Sequence, residues 1–225
     1  LTVVVVNKGM PSRNATCMAE GGINGVIDFE HGDSHELHAY DTVKGSDFLG
    51  DQDAIIKFVE KATEAIHELD YAGMPFNRQK DSTVARRFAG GAKFERCNYA
   101  ADKTGSIMMH TCLDEAITTG VKFLLDHYLL DIGMDNGVCE GVVLRDMQTG
   151  DVVPVLAKAV VLATGGYTRV FFNRTSTPFN ASGDGIAAAL RAGVAFKDPE
   201  MLQFHPTGVA NGGALITEAA RGLGG

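Results

Sequence analysis

The chain lacks both a long apolar run and an excess of basic residues. A membrane-spanning helix needs about 18 or more consecutive apolar residues, and no run in this sequence approaches that length. Twenty lysines and arginines are outnumbered by 28 aspartates and glutamates, which gives a formal net charge of -8. Binding to the phosphates of nucleic acid requires clustered basic side chains, so we do not expect nucleic acid as a partner. Because there is no long apolar run, we also do not expect direct insertion into a membrane.

Cysteine is scarce and scattered. The four cysteines are Cys17, Cys97, Cys112 and Cys139, and no two have the C-x-x-C spacing of zinc or iron–sulfur ligands. This distribution excludes a disulfide framework and predicts no metal site. We expect reduced, mostly buried thiols in a reducing compartment.

The sequence also has no G-x-G-x-x-G loop, the motif that binds a cofactor pyrophosphate between a strand and a helix. It begins without Met in a β-branched run, Leu1 to Val6, which is typical of a parallel strand covered on both faces. If this run is the second strand of a dinucleotide-binding unit, about 30 residues lie upstream, and we expect an internal fragment. Asn7 would then face a ribose hydroxyl, or Asn7-Lys8-Gly9 forms only a strand-ending turn.

Hydrophobic periodicity predicts an α/β chain with inserted elements. Apolar residues recur at three- and four-residue steps from Asp51 to Leu69, and further helices are predicted from Asp102 to Ile117 and from Asp184 to Ala192. Turn signals such as Asn136-Gly137 join short strands into a β-meander. The predicted strands span 123–126, 128–132, 139–144 and 152–156, followed by a buried apolar strand at 159–163.

Near the C-terminus, a glycine-rich stretch contains His205, Thr217 and Glu218. A protonated imidazole and a hydroxyl can hold a carboxylate by charge-assisted hydrogen bonds, and a nearby glutamate can relay a proton. The combination suits a pocket for a small dicarboxylate. A histidine beside a turn proline is alternatively a buried, satisfied residue.

A series of short motifs runs in order along nearly the whole chain. They are AEGGI (19–23), YDTVKGSD (40–47), LGDQDAI (49–55), GMPF (73–76), AADKTG (100–105), MHT (109–111), ATGG (163–166), GDG (183–185), FHPTG (204–208) and LITE (215–218). Together these motifs resemble those of the flavoprotein subunit of succinate dehydrogenase and fumarate reductase. L-aspartate oxidase shares the GGI, ATGG and HPT-like elements but differs in the DTVKGSD block.

The resemblance implies an α/β fold: a Rossmann-like FAD-binding domain with a helical insert and a β-meander, plus the start of a capping domain. The FAD-binding domain would cover residues 1–200, without its N-terminal G-x-G-x-x-G unit, and the capping domain would begin at 201–225.

FAD is the cofactor that the resemblance implies. The backbone of Gly21-Gly22 would lie against the isoalloxazine, and Asp184 matches an FAD-binding aspartate, with a simple helix N-cap as its alternative role. The residues expected to bind FAD are Asn7, Lys8, Asn14, Ala15, Thr16, Met18, Ala19, Gly21, Gly22, Ala163, Thr164, Gly165 and Asp184.

One departure from the family changes the expected chemistry. Many members carry S-H-T, whose histidine is bonded to the flavin, where this chain has Asn14-Ala15-Thr16. We therefore predict non-covalent FAD with Ala15 in place of the histidine. Without the covalent bond the reduced flavin is a stronger reductant, which favours fumarate reduction.

The resemblance implies interconversion of fumarate and succinate by hydride transfer at flavin N5. His205 and Thr217 match the substrate-binding histidine and threonine, and Glu218 matches the proton-relay glutamate. Phe88 resembles a phenylalanine that covers the substrate, although RRFAGG departs from the family's RPFGG and a core position is the alternative. The proton-donating arginine and a second substrate histidine and arginine would lie beyond Gly225.

The implied partners are an iron–sulfur subunit and a membrane anchor subunit, with the protein peripheral on the cytoplasmic face of the inner membrane. The alternatives are an L-aspartate oxidase-like or other soluble flavin oxidoreductase. A different alternative is a non-catalytic piece, since the 225 residues alone are expected to be inactive.

Overall fold

The computed structural model describes residues 1–172, 174–210, 214–217 and 220. Its helices are α1 (His35–Gly45), α2 (Gln52–Tyr71), α3 (Thr104–Thr118) and α4 (Asp184–Arg191), with 3-10 turns at Thr16–Met18 and Thr168–Phe171. Its strands are β1 (Val4–Val6), β2 (Ile23–Asn24), β3 (Arg86–Arg87), β4 (Cys97–Asn98), β5 (Lys122–Leu124), β6 (His127–Asp135), β7 (Val138–Asp146) and β8 (Val152–Leu156).

The chain forms two compact units. The first comprises Leu1–Ala15 and Ala116–Leu215, and the second comprises Thr16–Glu115 and Ile216–Gly225.

In the first unit, β1 pairs with β5 in parallel, with Val4 opposite Lys122 and Val6 opposite Leu124. The Asn7 amide continues this ladder by donating to the Leu124 carbonyl at 2.9 Å. The predicted parallel strand is therefore confirmed, but it is shorter than Leu1 to Val6. It is also not covered on both faces, because the side chain of Val4 is exposed.

The predicted meander is confirmed in part, as an antiparallel sheet in the order β6-β7-β8. The predicted strand at 123–126 is not part of this sheet, because β5 pairs in parallel with β1 instead. Asn136 and Gly137, which join β6 to β7, both have positive φ angles, 47° and 82°. Such a turn follows the right-handed twist of its strands. The helix α4 lies against β6, so the sheet supports that helix.

The prediction of a buried strand at 159–163 is wrong. These residues form no strand, and Val161 is 88% exposed. A strand requires a neighbour with which to exchange backbone hydrogen bonds. Within the part of the chain that the structure describes, β1 pairs only with β5, and no strand pairs with this segment.

The second unit packs helices onto a small sheet of order β2-β4-β3. Its core contains Ile66 of α2 together with Met74, Phe76, Val84 and Ala100. The side chain of Asp51 accepts a hydrogen bond from the Ala54 amide at 3.1 Å and caps α2 at its N-terminus. The helix predicted from the apolar stripe of residues 51–69 is thus confirmed.

The four cysteines form no disulfide, but they are not mostly buried as predicted. Only Cys97 is buried, and Cys112 is exposed on α3. Among the described helices, none combines the length and the apolar character needed to cross a lipid bilayer.

Candidate cofactor and substrate site

An ion pair joins the end of β1 to the first turn of α4. Lys8 Nζ donates to Asp184 Oδ2, although the two residues are 176 positions apart in sequence. Lys8 Nζ also donates to Ser182 Oγ at 2.7 Å and to the Asn180 carbonyl at 3.1 Å. From β6, the Tyr128 hydroxyl donates to Asp184 Oδ1 at 3.0 Å. We call the side chains of Lys8, Tyr128, Ser182 and Asp184 the Asp184 cluster.

The Asp184 cluster leaves one acceptor position open. A carboxylate offers about four lone-pair positions. Lys8, Tyr128 and Ser182 contribute one proton each, because Ser182 Oγ approaches both carboxylate oxygens, at 3.0 and 3.1 Å, with a single hydroxyl proton. The three contacts of Lys8 use all the N–H donors of its ammonium. Within this cluster, Asp184 rather than Lys8 is the group that can bind a further hydroxyl.

The same contacts determine the charge of the cluster. Burial alone would raise the pKa of Asp184, but the hydrogen bonds from its three donors outweigh burial and hold that pKa below its ordinary value. Burial and the neighbouring carboxylate raise the pKa of the Tyr128 phenol. Asp184 is therefore ionised and Tyr128 is protonated at neutral pH.

Thr164 packs against the first turn of α4. A Cβ placed on Gly185 would lie 2.2 Å from Thr164 Oγ1, so this close approach requires glycine. Beside the contact is a cavity of about 270 Å³, lined by Leu162 to Gly165, residues of α4 and Phe196. The structure thus places Ala163, Thr164 and Gly165 at one cavity with the helix that carries Asp184.

The segment expected to lie against the isoalloxazine is held from one side by β3 and β4. The Arg87 guanidinium donates to the Gly21 carbonyl through Nε at 3.1 Å and to the Glu20 carbonyl at 3.2 Å. The Cys97 thiol donates to the Gly21 carbonyl at 3.3 Å, and Arg87 lies over the Tyr99 ring, 4.4 Å from its centroid. These contacts fix the backbone of this segment.

The two glycines of this segment differ in their surroundings. A Cβ on Gly22, where φ is 128°, would lie 2.5 Å from Cys97 Sγ, whereas a Cβ on Gly21 would meet no atom within 4 Å. The Gly21 backbone therefore presents an open face without side-chain bulk. Upstream of it, the Gly105 amide donates to the Ala19 carbonyl at 2.8 Å and anchors this stretch on α3.

The remaining predicted cofactor residues are divided between the two units. In the first unit, Asn14 Nδ2 donates to the Pro11 carbonyl at 2.8 Å, and Ala15 is exposed. In the second unit, Thr16 and Met18 form a 3-10 turn. The first unit thus offers an ionised carboxylate with one free acceptor position and a cavity beside it, which fit a nucleotide and its hydroxyls. The second unit offers an open glycine backbone, which fits a flat ring.

His205, in the first unit, has a fixed and half-buried ring. Its Nδ1 lies 2.8 Å from the Thr207 carbonyl and 3.3 Å from the Thr207 amide. One nitrogen cannot donate and accept at once, and the shorter contact favours Nδ1 as the donor. Ser176 Oγ donates to the His205 carbonyl at 2.7 Å and holds the backbone. The nitrogen left for a ligand is therefore Nε2.

The other predicted substrate residues belong to the second unit. The Thr217 carbonyl accepts from the Ala220 amide at 3.1 Å, and Glu218 lies outside the described residues. Phe88 follows β3 and is 56% exposed, so it is not the core phenylalanine of the alternative interpretation. The structure brings together Lys8 with Asp184 and Thr164 with the first turn of α4.

Sequence reasoning missed the residues that hold the site. Ser182 could have been identified, because it lies two positions before Asp184 and such spacing is typical of local side-chain hydrogen bonding. Tyr128, Arg87 and Cys97 reach their partners only through tertiary structure, and no local motif marks them.

Comparison with known proteins identifies the family of the chain. The family model described as FAD binding domain matches residues 1–225. The chain is 72% identical over 225 residues to the 8-methylmenaquinol:fumarate reductase flavoprotein subunit of Wolinella succinogenes, covering 100% of this chain and 37% of that protein. It is 41% identical over 233 residues to the succinate dehydrogenase flavoprotein subunit of Rickettsia bellii, covering 100% and 39%.

Among solved structures, a variant of E. coli quinol fumarate reductase FrdA matches with a TM-score of 0.93 at 38% identity, covering 100% of this chain and 38% of that one. The chain therefore spans 37% to 39% of the length of these relatives. The likeness confirms the predicted α/β fold class.

Proposed function

This chain belongs to the FAD binding domain family, and on that premise we propose that the full-length protein binds FAD and interconverts fumarate and succinate. The observation that carries the proposal is the anchored ring of His205, whose Nε2 is left for a substrate carboxylate. Relatives named as flavoprotein subunits of fumarate reductase and succinate dehydrogenase support the same substrate class.

FAD, when bound, supplies the hydride at its N5 position. The chain binds and orients the cofactor: Asp184 accepts a hydroxyl, residues 163–165 line the cavity beside it, and the open face of Gly21 receives the flat ring system. In this proposal, residues 1–200 belong to the FAD-binding domain and residues 201–225 begin the capping domain.

The substrate is held by charge-assisted hydrogen bonds. With Nδ1 donating to the Thr207 carbonyl, the imidazolium form of His205 is the one that can also donate from Nε2 to a carboxylate. The Thr217 hydroxyl is the second donor, and Glu218 relays a proton. Phe88, which is exposed, covers the substrate from one side.

Ala15 determines which direction of the fumarate–succinate reaction is favoured. The methyl side chain of alanine has no nitrogen that could bond to a flavin, so the cofactor is bound non-covalently and is a stronger reductant when reduced. The reaction from fumarate to succinate is therefore the favoured one. An iron–sulfur subunit and a membrane anchor subunit deliver the electrons, and the protein is peripheral to the membrane.

The proposal is tested with the full-length protein by fumarate-dependent oxidation of a reduced viologen dye. His205→Ala is compared with His67→Ala, a control at an exposed histidine of α2. Loss of one donor to substrate charge typically lowers activity about 10²- to 10³-fold. We expect that loss for His205→Ala and parental activity for His67→Ala.

Two results would contradict the proposal. Parental activity in His205→Ala would remove His205 from the substrate site. An FAD-loaded protein inactive with fumarate but active in oxidising L-aspartate would favour the L-aspartate oxidase-like alternative.

A further inference from the structure

The Tyr128 hydroxyl is the donor that fixes one oxygen of the Asp184 carboxylate from the sheet. Tyr128 lies near the start of β6, paired with Arg145 of β7, and its hydroxyl donates to Asp184 Oδ1 at 3.0 Å. We propose that Tyr128 is a positioning residue of the cofactor site, which orients Asp184 so that its one open acceptor position receives a hydroxyl of FAD. This inference rests on the proposed binding of FAD.

The Tyr128 side chain supports the cluster in two ways. Its hydroxyl bonds to the carboxylate, and its ring lies 5.7 Å from Lys8 Nζ, within the range of a cation–π contact. Lys8 occupies Oδ2 and Tyr128 occupies Oδ1. A carboxylate held at one oxygen from β6 and at the other from the loop after β1 cannot rotate freely, and its remaining lone pair keeps one direction.

Ser182 cannot replace the tyrosine hydroxyl. Its Oγ accepts a hydrogen bond from Lys8 and has a single proton to donate, while it lies at similar distances from both carboxylate oxygens. If Tyr128 donated nothing, the Ser182 proton could satisfy only one oxygen at a time. The carboxylate would then alternate between two arrangements, and the cofactor hydroxyl would meet a less ordered acceptor.

The inference also predicts a pH signature. The charged and titratable groups that face Asp184 are Lys8 from the end of β1 and Tyr128 from β6, and Arg191 of α4 acts on the tyrosine. Burial opposes ionisation of Asp184, and its donors hold its pKa down. Removing the Tyr128 hydroxyl therefore raises the pKa of Asp184, and FAD is lost at a higher pH as the solution is acidified.

The experiment uses full-length apoprotein, produced under riboflavin limitation and titrated with FAD while flavin fluorescence is recorded. Tyr128→Phe keeps the ring but removes the donor, and Asp184→Asn removes the charge. Tyr40→Phe serves as the matched control, because Tyr40 lies on α1 and is exposed. A hydrogen bond to a charged group typically corresponds to about a 10-fold change in affinity.

We expect Tyr128→Phe to weaken FAD binding about 10-fold and to raise the pH at which FAD is released. Asp184→Asn should weaken binding further, and Tyr40→Phe should leave both properties unchanged. Equal thermal unfolding of the Tyr128→Phe and Tyr40→Phe apoproteins separates this effect from a loss of stability.

Each other outcome has a distinct meaning. If Asp184→Asn weakens binding and Tyr128→Phe does not, the role of Tyr128 is refuted and the proposed function stands. If neither variant changes binding, the cofactor role of Asp184 fails as well. If the parent protein does not bind FAD, the proposed function itself is overturned.

Discussion

The guanidinium of Arg96 forms a two-point ion pair with the carboxylate of Asp33 inside the second unit. Arg96 Nε donates to Asp33 Oδ2 at 2.9 Å and Nη2 donates to Oδ1 at 2.7 Å, while Nη1 reaches Asp41 Oδ2 at 2.8 Å. The Arg96 side chain is 1% exposed. A buried cation is thus matched by two carboxylates, both from the segment around α1.

Breaking this pair should strongly destabilise the protein. Arg96→Ala leaves the carboxylates of Asp33 and Asp41 buried without their partner, and such a change typically costs about 3–5 kcal/mol of unfolding free energy. Arg78→Ala is the matched control, because Arg78 pairs with Asp70 on the surface and should change stability by less than about 1 kcal/mol. Urea unfolding of both variants measures the difference. Equal losses of unfolding free energy would show that burial of the Arg96 pair does not add to its effect on stability.

The same cluster makes the fold sensitive to acid through His38. This residue of α1 is 4% exposed, and its Nδ1 has no hydrogen-bond partner among the described residues. Burial, and then the charge of Arg96, lower the pKa of His38 to about 4. Asp33 and Asp41 act in the opposite direction.

The sign of the pH effect follows from this lowered pKa. The unfolded chain binds a proton near pH 6.5, whereas folded His38 does not until about pH 4. Stability should therefore fall as the pH decreases from 6.5 to 4, by about 3 kcal/mol at most. His38→Leu should show a smaller loss over this range, and His67→Leu should behave as the parent. Urea unfolding at both pH values provides the test. If the unfolding free energy of His38→Leu falls with pH as much as that of the parent, the acid sensitivity belongs to other groups.

Long periodic segments of this fold were predictable, and short or paired ones were not. The helix α2 was found because its apolar residues, including Val59 and Ile66, repeat at helical spacing and are fully buried. The helix α1 was missed because few of its residues are buried, although Ser34 caps it by accepting from the Leu37 amide at 3.2 Å. The strands β2, β3 and β4 have two residues each, which is too short to show a period.

The site residues that belong to recognisable motifs were predictable from the sequence. The contacts that hold those residues in place were not predictable. Asp184 and His205 stand in recognisable motifs, whereas the Tyr128 hydroxyl reaches Asp184 across 56 positions. Arg87 likewise reaches Gly21 across 66 positions. Such contacts depend on tertiary packing, which local sequence does not encode.

The residue Ala15 predicts how the flavin behaves in acid. Alanine offers no atom for a covalent bond, so denaturation should release the cofactor. We expect acid precipitation of the full-length protein to leave the flavin in the supernatant, as measured by its absorbance and fluorescence. Free FAD added to a flavin-free protein provides the control for trapping in the precipitate. Flavin that stayed with the washed pellet, beyond the amount in this control, would contradict the prediction.

The adjacent residues Gly21 and Gly22 predict opposite outcomes for the same substitution. An alanine Cβ at Gly22 would lie 2.5 Å from Cys97 Sγ and 2.7 Å from the Asn98 carbonyl oxygen, at a φ of 128°. Gly22→Ala should therefore destabilise the apoprotein by about 1–3 kcal/mol. At Gly21 the Cβ meets nothing within 4 Å, so Gly21→Ala should change stability by less than about 0.5 kcal/mol.

The two glycines should also differ in how substitution affects FAD. If the open face of Gly21 lies against the isoalloxazine, the added methyl group crowds the ring and weakens FAD binding by about 10-fold or more. Gly45→Ala in α1, which also meets nothing within 4 Å, provides the control and should bind FAD normally while gaining about 0.5–1 kcal/mol of stability. Urea unfolding and FAD titration together separate the cases. Normal FAD binding by Gly21→Ala would remove this glycine from the cofactor surface, because the substitution has no other atom to disturb.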